Sequence, residues 1–546
     1  MRAQVISFAA FEKELNAALA SGRITFLVGA GVSMLAPSCQ PSGPALKNLA
    51  IEAICAPREM RTVLNRVRQS PRYRDITPEV LFQRIYACLD RKQFLAFFDV
   101  LRFSEPNALH HVLGRATKSR NVHVLTTNFD DLIERADGRP SRITHLHGVL
   151  TQPGSMVTRI NQVGRGINAA VSLAARPTLL CVLGYSGNDD DVLALVRRAR
   201  PKRVLWLARS RKDWAWRNIR RYASEHEVAV AHGNLERLWP LPRRSVQPDS
   251  STSDKQRRGR EDAIERWGTL PRLIDRFAIM TEVLFEIEDY KSVVRLSRTA
   301  MLHAKGSELA GWFRIQMGEA LRIVGRFSEA EKAARQAIRI NSRLGDPFDI
   351  AGAYNLLGVI LAERPRPDGR RARNATLHAL RILDAVELRT CSLHMREALV
   401  VFRGRVLNNV GLAEYILGNH LGATTHYGRA LQVKRKVGDM LGEAITAGNL
   451  SVAYFHAGDA GKAALWKKHA FVLMDKYELR REKGYVLRCT GTIACERGDV
   501  TEGQQLLREA IYVYRSVTGL EFEVKRTSAL LRQSNRQYPA ARSYES

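Results

Sequence analysis

The sequence predicts two unlike halves: a doubly wound parallel α/β sheet with a helical insert, then an all-α superhelix of repeated helix pairs. Three observations predict this. Short, β-branched apolar runs alternate with helical stretches in the first 240 or so residues, as βαβ units require. Several of these runs end in Gly, Asn or His segments. Beyond residue 260 the pattern is helical throughout and returns with a period of 40 residues.

In chain order, the candidate strands are 24–28, 122–126, 178–183, 203–207 and 227–231, with helical patterns at 106–118 and 189–200. Continuous apolar runs of this length suit parallel strands buried on both faces. Residues 30–120 are mostly helical and too long for a simple crossover, so they read as a helical insert beside a Rossmann-like sheet. Residues 241–260 are rich in Ser, Pro and charge and lack apolar periodicity, which reads as a linker. The expected domains are therefore 1–240, a linker at 241–260, and 261–546.

In the last of these, Gly418, Gly458 and Gly498 are spaced by 40, and each precedes an alanine (Ala430, Ala470, Ala510) by twelve residues; Gly325 and Ala337 repeat the offset. Asn409 and Asn449 are also 40 apart. A glycine at the turn and a small residue where the second helix packs closely is the logic of a helix–turn–helix repeat. The array resembles tetratricopeptide repeats lengthened to about 40 residues, five to seven in number, with 364–373 interrupting the period. Such repeats stack around a concave groove that binds a protein or peptide, or serves self-association.

Composition narrows the function classes. The 546 residues carry a formal charge of +30. Residues 1–245 hold 37 Lys+Arg against 20 Asp+Glu, and the remainder 48 against 35, so the excess is not gathered in a tail. It fits either an anion-attracting field or simply basic solvated faces; a nucleic-acid partner has no aromatic-interleaved basic stripe to support it. No run of about 18 apolar residues suggests a membrane span, and the N-terminus lacks a signal-peptide core. Seven scattered cysteines without a C-x-x-C pair suit a reducing cytoplasm and no structural zinc.

Four segments carry the chemistry. Gly29-Ala30-Gly31-Val32-Ser33 follows the first strand. Its glycines would let backbone approach a phosphate, with a following helix aiming N–H groups at the anion; Ser33 would cap that helix or bond a pyrophosphate. Met34 breaks the G-x-G-x-x-G pattern, so a plain tight turn is equally open. Thr127-Asn128-Phe129-Asp130 follows the second strand. Asn128 would hold a ribose hydroxyl or water and Asp130 would accept from backbone or ribose, unless the segment merely caps a helix. His145-Leu146-His147-Gly148 comes next, with His147 at the turn as the candidate base. Gly184-Tyr185-Ser186 offers another close approach, and Asp189 would cap a helix or bind a ribose diol. Open α/β sheets bind ligands at the carboxyl ends of their strands, where these segments would converge.

Together and in this order, the segments resemble the sirtuin (silent-information-regulator) family of NAD-consuming enzymes. The likeness spans about residues 10–240, with Pro106-Asn107-Ala108-Leu109-His110-His111 and Val230-Ala231-His232-Gly233 as further matching stretches. Two departures stand out. The family's two C-x-x-C pairs, which hold zinc, are missing, and Pro41-Ser42-Gly43-Pro44 replaces the expected Phe-Arg. These departures are similar to the divergent bacterial branch, in which such a domain is fused to a sensing domain and destroys NAD in antiphage defence. The resemblance implies Asn128 and His147 as catalytic. It implies Gly29, Ala30, Gly31, Ser33, Thr127, Asp130, Gly184, Ser186 and Asp189 at the NAD+ site, with no metal. The implied activity is a regulated NAD+ glycohydrolase of the cytoplasm, triggered through the repeats by a phage protein or by homo-oligomerisation. A protein deacylase or ADP-ribosyltransferase recruiting substrates through the repeats, and a non-catalytic nucleotide sensor, are the competing readings.

Overall fold

In the computed structural model the chain divides into two compact units, Met1–Ile279 and Met280–Ser546. The structure describes residues 3–152, 155–156, 179–187, 192–193, 195–196, 201–209, 218–219, 227–239, 250–304, 307, 309–386, 393–477, 479–517 and 519–537.

The first unit is built on a seven-stranded sheet: β1 (Gln4–Val5), β2 (Ile24–Val28), β3 (Val122–Thr126), β4 (Ile143–His145), β5 (Leu179–Leu183), β6 (Arg203–Ala208) and β7 (Val228–His232). The order is β1-β7-β6-β5-β2-β3-β4, and every pairing is parallel. β2 is buried along its whole length, and its side chains divide between two apolar clusters: Ile24, Phe26 and Val28 in one, Leu27 in the other. Of the five expected strands, two match residue for residue, two end one residue later than expected, and residue 178 of the fifth lies outside the described residues. β1 and β4, of two and three residues, were not anticipated.

β2 lies between β3 and β5, where the chain order reverses, and register aligns the ends: Val28 is opposite Thr126 on one side and Leu183 on the other. Thr126 is opposite His145 of β4. Thus the four segments leave the sheet at one level, at a topological switch point.

The helical insert comprises Gly43–Ile54, Arg61–Gln69, Pro71–Asp75, Pro78–Cys88, Arg91–Ala96 and the 3-10 segment Phe97–Phe103. Phe82, Phe94, Phe97 and Phe98 form an edge-packed aromatic cluster within it. The expected 106–118 helix is Ala108–Ala116, capped by Asn107. Of the expected 189–200 helix only Val192, Leu193, Leu195 and Val196 are described, as helical.

The region read as a linker differs from expectation. Residues 241–249 lie outside the described residues, but Ser250–Thr269 is a 20-residue helix belonging to the first unit. Its polar composition hides a narrow anchoring face: Ala263 and Trp267 are buried, Trp267 Nε1 donates to Gln93 O (2.9 Å), and its ring meets Phe97 at 4.8 Å.

The second unit is an all-helical, superhelical array of tetratricopeptide type. Its pairs are Leu273–Glu286 with Tyr290–His303, Leu309–Ile323 with Phe327–Leu344, Pro347–Glu363 with Gly369–Asp384, Leu393–Ile416 with His420–Val437, Met440–His456 with Ala460–Lys476, and Arg480–Glu496 with Val500–Arg515. The first of these helices begins in the first unit, and Glu521–Gln537 closes the array. Within it Phe522 packs on Phe327, so the last helix touches an early repeat. Gly325, Gly418, Gly458 and Gly498 all have φ between 80° and 96° at the turns, and Ala337, Ala430, Ala470 and Ala510 are fully buried where the second helix packs. Asn409 and Asn449 join a ladder of amides: Asn409 Nδ2 donates to Asn355 Oδ1 (2.9 Å), and Asn449 Nδ2 to Asn408 Oδ1 (3.1 Å).

A Cβ at Gly458 would meet nothing within 4 Å, so only its φ of +87° resists substitution. Gly458→Ala should therefore cost about 1 kcal/mol and Gly458→Asn less, read from urea midpoints. Equal stability of all three would overturn this account of the repeat turn.

Candidate functional site

The glycines at the strand ends serve each other first. Gly29 N–H donates to Leu183 O and Gly31 N–H to Gly184 O, both at 3.0 Å. A Cβ on Gly29 would lie 2.6 Å from Gly184 O, and one on Gly31 2.8 Å from Gly184 Cα. The two loops cross backbone to backbone, which only glycine permits.

The helix expected after Gly31 is absent; residues 30–38 form turns. Val32, Ser33 and Met34 donate their N–H groups to Gly29 O, Ala30 O and Ala30 O. Those donors are therefore not aimed at an anion. Pro37 lacks an N–H, and the residue before a proline avoids helical geometry, which is reason enough for the turns.

Ser33 is buried, and its hydroxyl is the hub of the site rather than a cap. It accepts from Asn128 Nδ2 at 3.0 Å, donates to Asp130 Oδ2 at 3.0 Å, and lies 3.1 Å from His110 Nε2. His110 Nδ1 accepts from Asn107 N–H at 3.0 Å, so its proton sits on Nε2 and points at Ser33. Burial, followed by the charges of His111 and Arg135, pushes His110 down to about 3, which keeps it neutral. Asn107 in turn caps His110 N–H and donates to Val32 O at 2.7 Å, tying the capped helix to the Gly-Ala-Gly turn.

Asn128 is held on three sides. Its N–H donates to Thr126 Oγ1 (3.1 Å), its Nδ2 to Ser33, and its carbonyl accepts from His145 Nδ1 (3.0 Å). The remaining atom, Oδ1, is buried and has no hydrogen-bond partner among the described residues. An unfilled buried acceptor is costly, and here the backbone is held by Thr126 and His145 and the side chain by the bond from Nδ2 to Ser33. Phe129 anchors the same segment by packing on Phe98 at 5.2 Å.

Asp130 accepts from Ser33 and from Leu132 N–H (3.2 Å). Burial raises it to about 6 in spite of these bonds. A folded pKa above the unfolded one means that the folded state binds the proton more tightly. Stability from this group is thus present at low pH and lost as pH rises from about 4 to about 6. Asp130→Asn should remove that loss, so its Tm should gain on the wild type across this interval, read by calorimetry from pH 4 to 7. Parallel Tm profiles would show that Asp130 does not titrate there.

His145, left aside at the sequence level, is fully engaged. Its Nε2 meets Glu134 Oε1 at 2.7 Å while Nδ1 serves Asn128 O. Burial lowers its pKa, but the Glu134 carboxylate and the Asn128 carbonyl raise it further, for a net upward shift. His147 follows on the turn after β4, half-buried. That turn is tied to the Asn128 segment by Leu146 N–H to Thr126 O (2.8 Å) and Leu150 N–H to Phe129 O (2.8 Å). Gly148 has φ +84°, and a Cβ there would meet Ser155 O.

Thr127 donates its N–H to Val28 O (3.0 Å), joining the Asn segment to β2. Gly184 has φ +61°. Ser186 is half-buried, and its carbonyl accepts from Asn218 Nδ2 (3.2 Å). Asp189 lies outside the described residues. Sequence reasoning missed the roles of Asn107, His110, His145 and Glu134; the Asn-x-x-His spacing at a helix start was the available signal.

Fold and site define a two-unit protein: a parallel α/β sheet with a polar cluster at its switch point, and a tetratricopeptide-like array. A tetratricopeptide repeat family model matches residues 402–474. An NAD-dependent protein deacylase of Aggregatibacter actinomycetemcomitans is 43% identical over 83 residues, which is 14% of this chain and 36% of that protein. The chain thus spans about a third of that relative's length. Among solved structures, a Rap protein complexed with competence and sporulation factor is 12% identical (TM-score 0.36, covering 54% of this chain and 90% of that one). A signal-transduction ATPase with a tetratricopeptide repeat sensor from Pyrococcus horikoshii is 13% identical (TM-score 0.32, covering 98% and 96%). Among the described residues, no helix is long and apolar enough to cross a membrane, and no three His, Cys, Asp or Glu are grouped to hold a metal.

Proposed function

We propose that the strand-end cluster is an NAD+ site and that the protein hydrolyses NAD+ to nicotinamide and ADP-ribose. The observation that carries this reading is the buried Asn128 Oδ1, without a hydrogen-bond partner among the described residues, on a residue held by Ser33, Thr126 and His145. It suits an acceptor for a ribose hydroxyl or for an attacking water. The partial likeness to an NAD-dependent deacylase supports the nucleotide.

In the proposed reaction the bond between the ribose anomeric carbon and the nicotinamide nitrogen breaks. Its electron pair neutralises the pyridinium, and the sugar passes through an oxocarbenium-like state. Water oxygen bonds to the anomeric carbon while His147 takes the proton and returns it to solvent. His145 is unsuited to that task because both ring nitrogens are already engaged. Asn128 orients ribose and water. Gly29–Ser33, Thr127, Asp130, Gly184, Ser186 and Asp189 shape or support the nucleotide cleft. The repeat unit is proposed to respond to a protein trigger, a phage protein or another copy of the chain, so that NAD+ is depleted only on infection, in the cytoplasm.

The test is the purified full-length chain with NAD+, alone and with candidate phage proteins, read by product chromatography. Free nicotinamide with ADP-ribose is expected, and Asn128→Ala and His147→Ala should each abolish it. Cleavage retained in both variants would overturn the site. Nicotinamide release only with an acylated protein would favour deacylation, and NAD+ binding without turnover would favour a sensor.

A further inference from the structure

The helix Ser250–Thr269 is the last element before the chain enters the repeats, and one face of it reaches the turn that follows the Gly-Ala-Gly segment. Arg260 is half-buried on that face. Its Nη1 donates to Cys39 O (2.7 Å), and its Nη2 to Ser38 O (2.7 Å) and Ser104 Oγ (2.9 Å). Two consecutive carbonyls bound by one guanidinium is a geometry that the planar fork suits and an ammonium does not. The acceptors matter because of where they lie. Cys39 holds a left-handed φ of 42°, unusual for a residue with a side chain. The next residue, Gln40, returns its N–H to Ser33 O at 2.9 Å. Ser38 Oγ donates to Glu105 O (2.6 Å), just ahead of the Asn107 cap that fixes His110. Ser33 and His110 are the groups that aim the Asn128 amide.

A second, independent link runs along the aromatic cluster. Trp267 of the same helix packs on Phe97, Phe97 on Phe98, and Phe98 on Phe129, the neighbour of Asn128. One helix therefore grips the Asn128 segment twice: through Arg260 and the 33–40 turn, and through Trp267 and Phe129.

We infer that Arg260 is a positioning residue for Asn128, so that the helix leading into the repeats is a working part of the α/β site rather than a tether. This rests on the proposed NAD+ reading for its catalytic consequence, but not for its structural one. Displacing the helix frees the 33–40 turn, Ser33 loses its fixed place, and the Asn128 amide is no longer aimed. Nucleotide affinity is set at several strand ends and changes less.

The experiment uses the full-length chain and the variants Arg260→Ala, Arg260→Lys and Gly259→Ala. The last is included because a Cβ on Gly259 would meet the Phe103 ring at 2.4 Å and push the helix outward without touching Arg260. Hydrogen exchange is followed in peptides covering 33–40 and 126–132, together with kcat and KM for NAD+. Arg260→Ala should speed exchange in both segments by at least tenfold and lower kcat at least tenfold, with KM moving less than threefold. Arg260→Lys should recover part of both effects, and Gly259→Ala should reproduce the exchange change. Wild-type exchange in both segments for Arg260→Ala and Gly259→Ala would overturn the inference. Should Arg260→Ala fail to fold, Gly259→Ala and Arg260→Lys decide it by the same exchange readout. A wild-type chain that never cleaves NAD+ would sink the functional reading alone, since exchange still decides the positioning role.

Discussion

Asn128→Ala is expected to lower NAD+ cleavage by about a thousandfold, the scale on which losing one fixed polar group at a reacting centre is felt. Nucleotide binding should weaken far less, and Tm should change little. The physical argument begins with what the side chain does in the protein alone. Its Nδ2 donates to Ser33, while its Oδ1 is buried and has no partner among the described residues. Truncation removes one hydrogen bond, worth about 1 kcal/mol, and simultaneously relieves one unsatisfied acceptor, so the net stability change is small. What disappears is an acceptor kept ready for the substrate. Calorimetry of NAD+ binding beside single-turnover kinetics separates the two. A variant that turns over normally would remove Asn128 from the chemistry, and one that merely unfolds would recast it as structural. Ser33→Ala makes a graded companion: the amide stays but its aim is lost, so a smaller fall in kcat is expected.

How much of this was legible beforehand follows from how each element is stabilised. β2 and β3 were readable because strands buried on both faces are mostly apolar, and Ile24–Val28 is buried at every position. β1 and β4 escaped because two or three residues leave no period to detect; they are strands only because β7 and β3 supply their hydrogen bonds. The turn glycines and buried alanines of the repeats were readable because the constraint recurs every 40 residues. The helix Ser250–Thr269 was not, since its anchors are single side chains, Arg260 and Trp267, whose partners lie about 170 to 220 positions earlier. The cluster shows the same division. Strand-end position singled out Asn128 and the histidines. The choice of Ser33 as hub depends on His110, 77 residues away, and on a cap that looks merely structural in the sequence. That both ring nitrogens of His145 are claimed, by Glu134 and by the Asn128 carbonyl, is likewise something no spacing reveals.

Gly184→Ala is expected to be among the most damaging single substitutions for stability in the α/β unit. Two effects act together and can be separated. The first is conformational: at φ +61° a side chain strains the backbone by about 1 kcal/mol. The second is contact: the new Cβ would lie 2.6 Å from Val32 N and 2.9 Å from Gly31 C. These are backbone atoms of the facing loop, and neither can swing aside as a side chain would. The loops must part, breaking the bond from Gly31 N–H to Gly184 O, and overpacking of this kind adds about 1–3 kcal/mol. A total near 3 kcal/mol is a large fraction of an ordinary domain's stability. Gly458→Ala in the repeats is the internal control, because it shares the positive φ but faces open space, so the difference between the two variants reports the close approach alone. Activity should fall with Gly184→Ala even below its melting temperature. The parted loops carry Ser33 away from Asn128, since the strands that lead into these segments end level with Leu183, at Val28 and Thr126. Matching denaturation midpoints for Gly184→Ala and Gly458→Ala would show that the crossing of the two loops is not what holds the strand ends together.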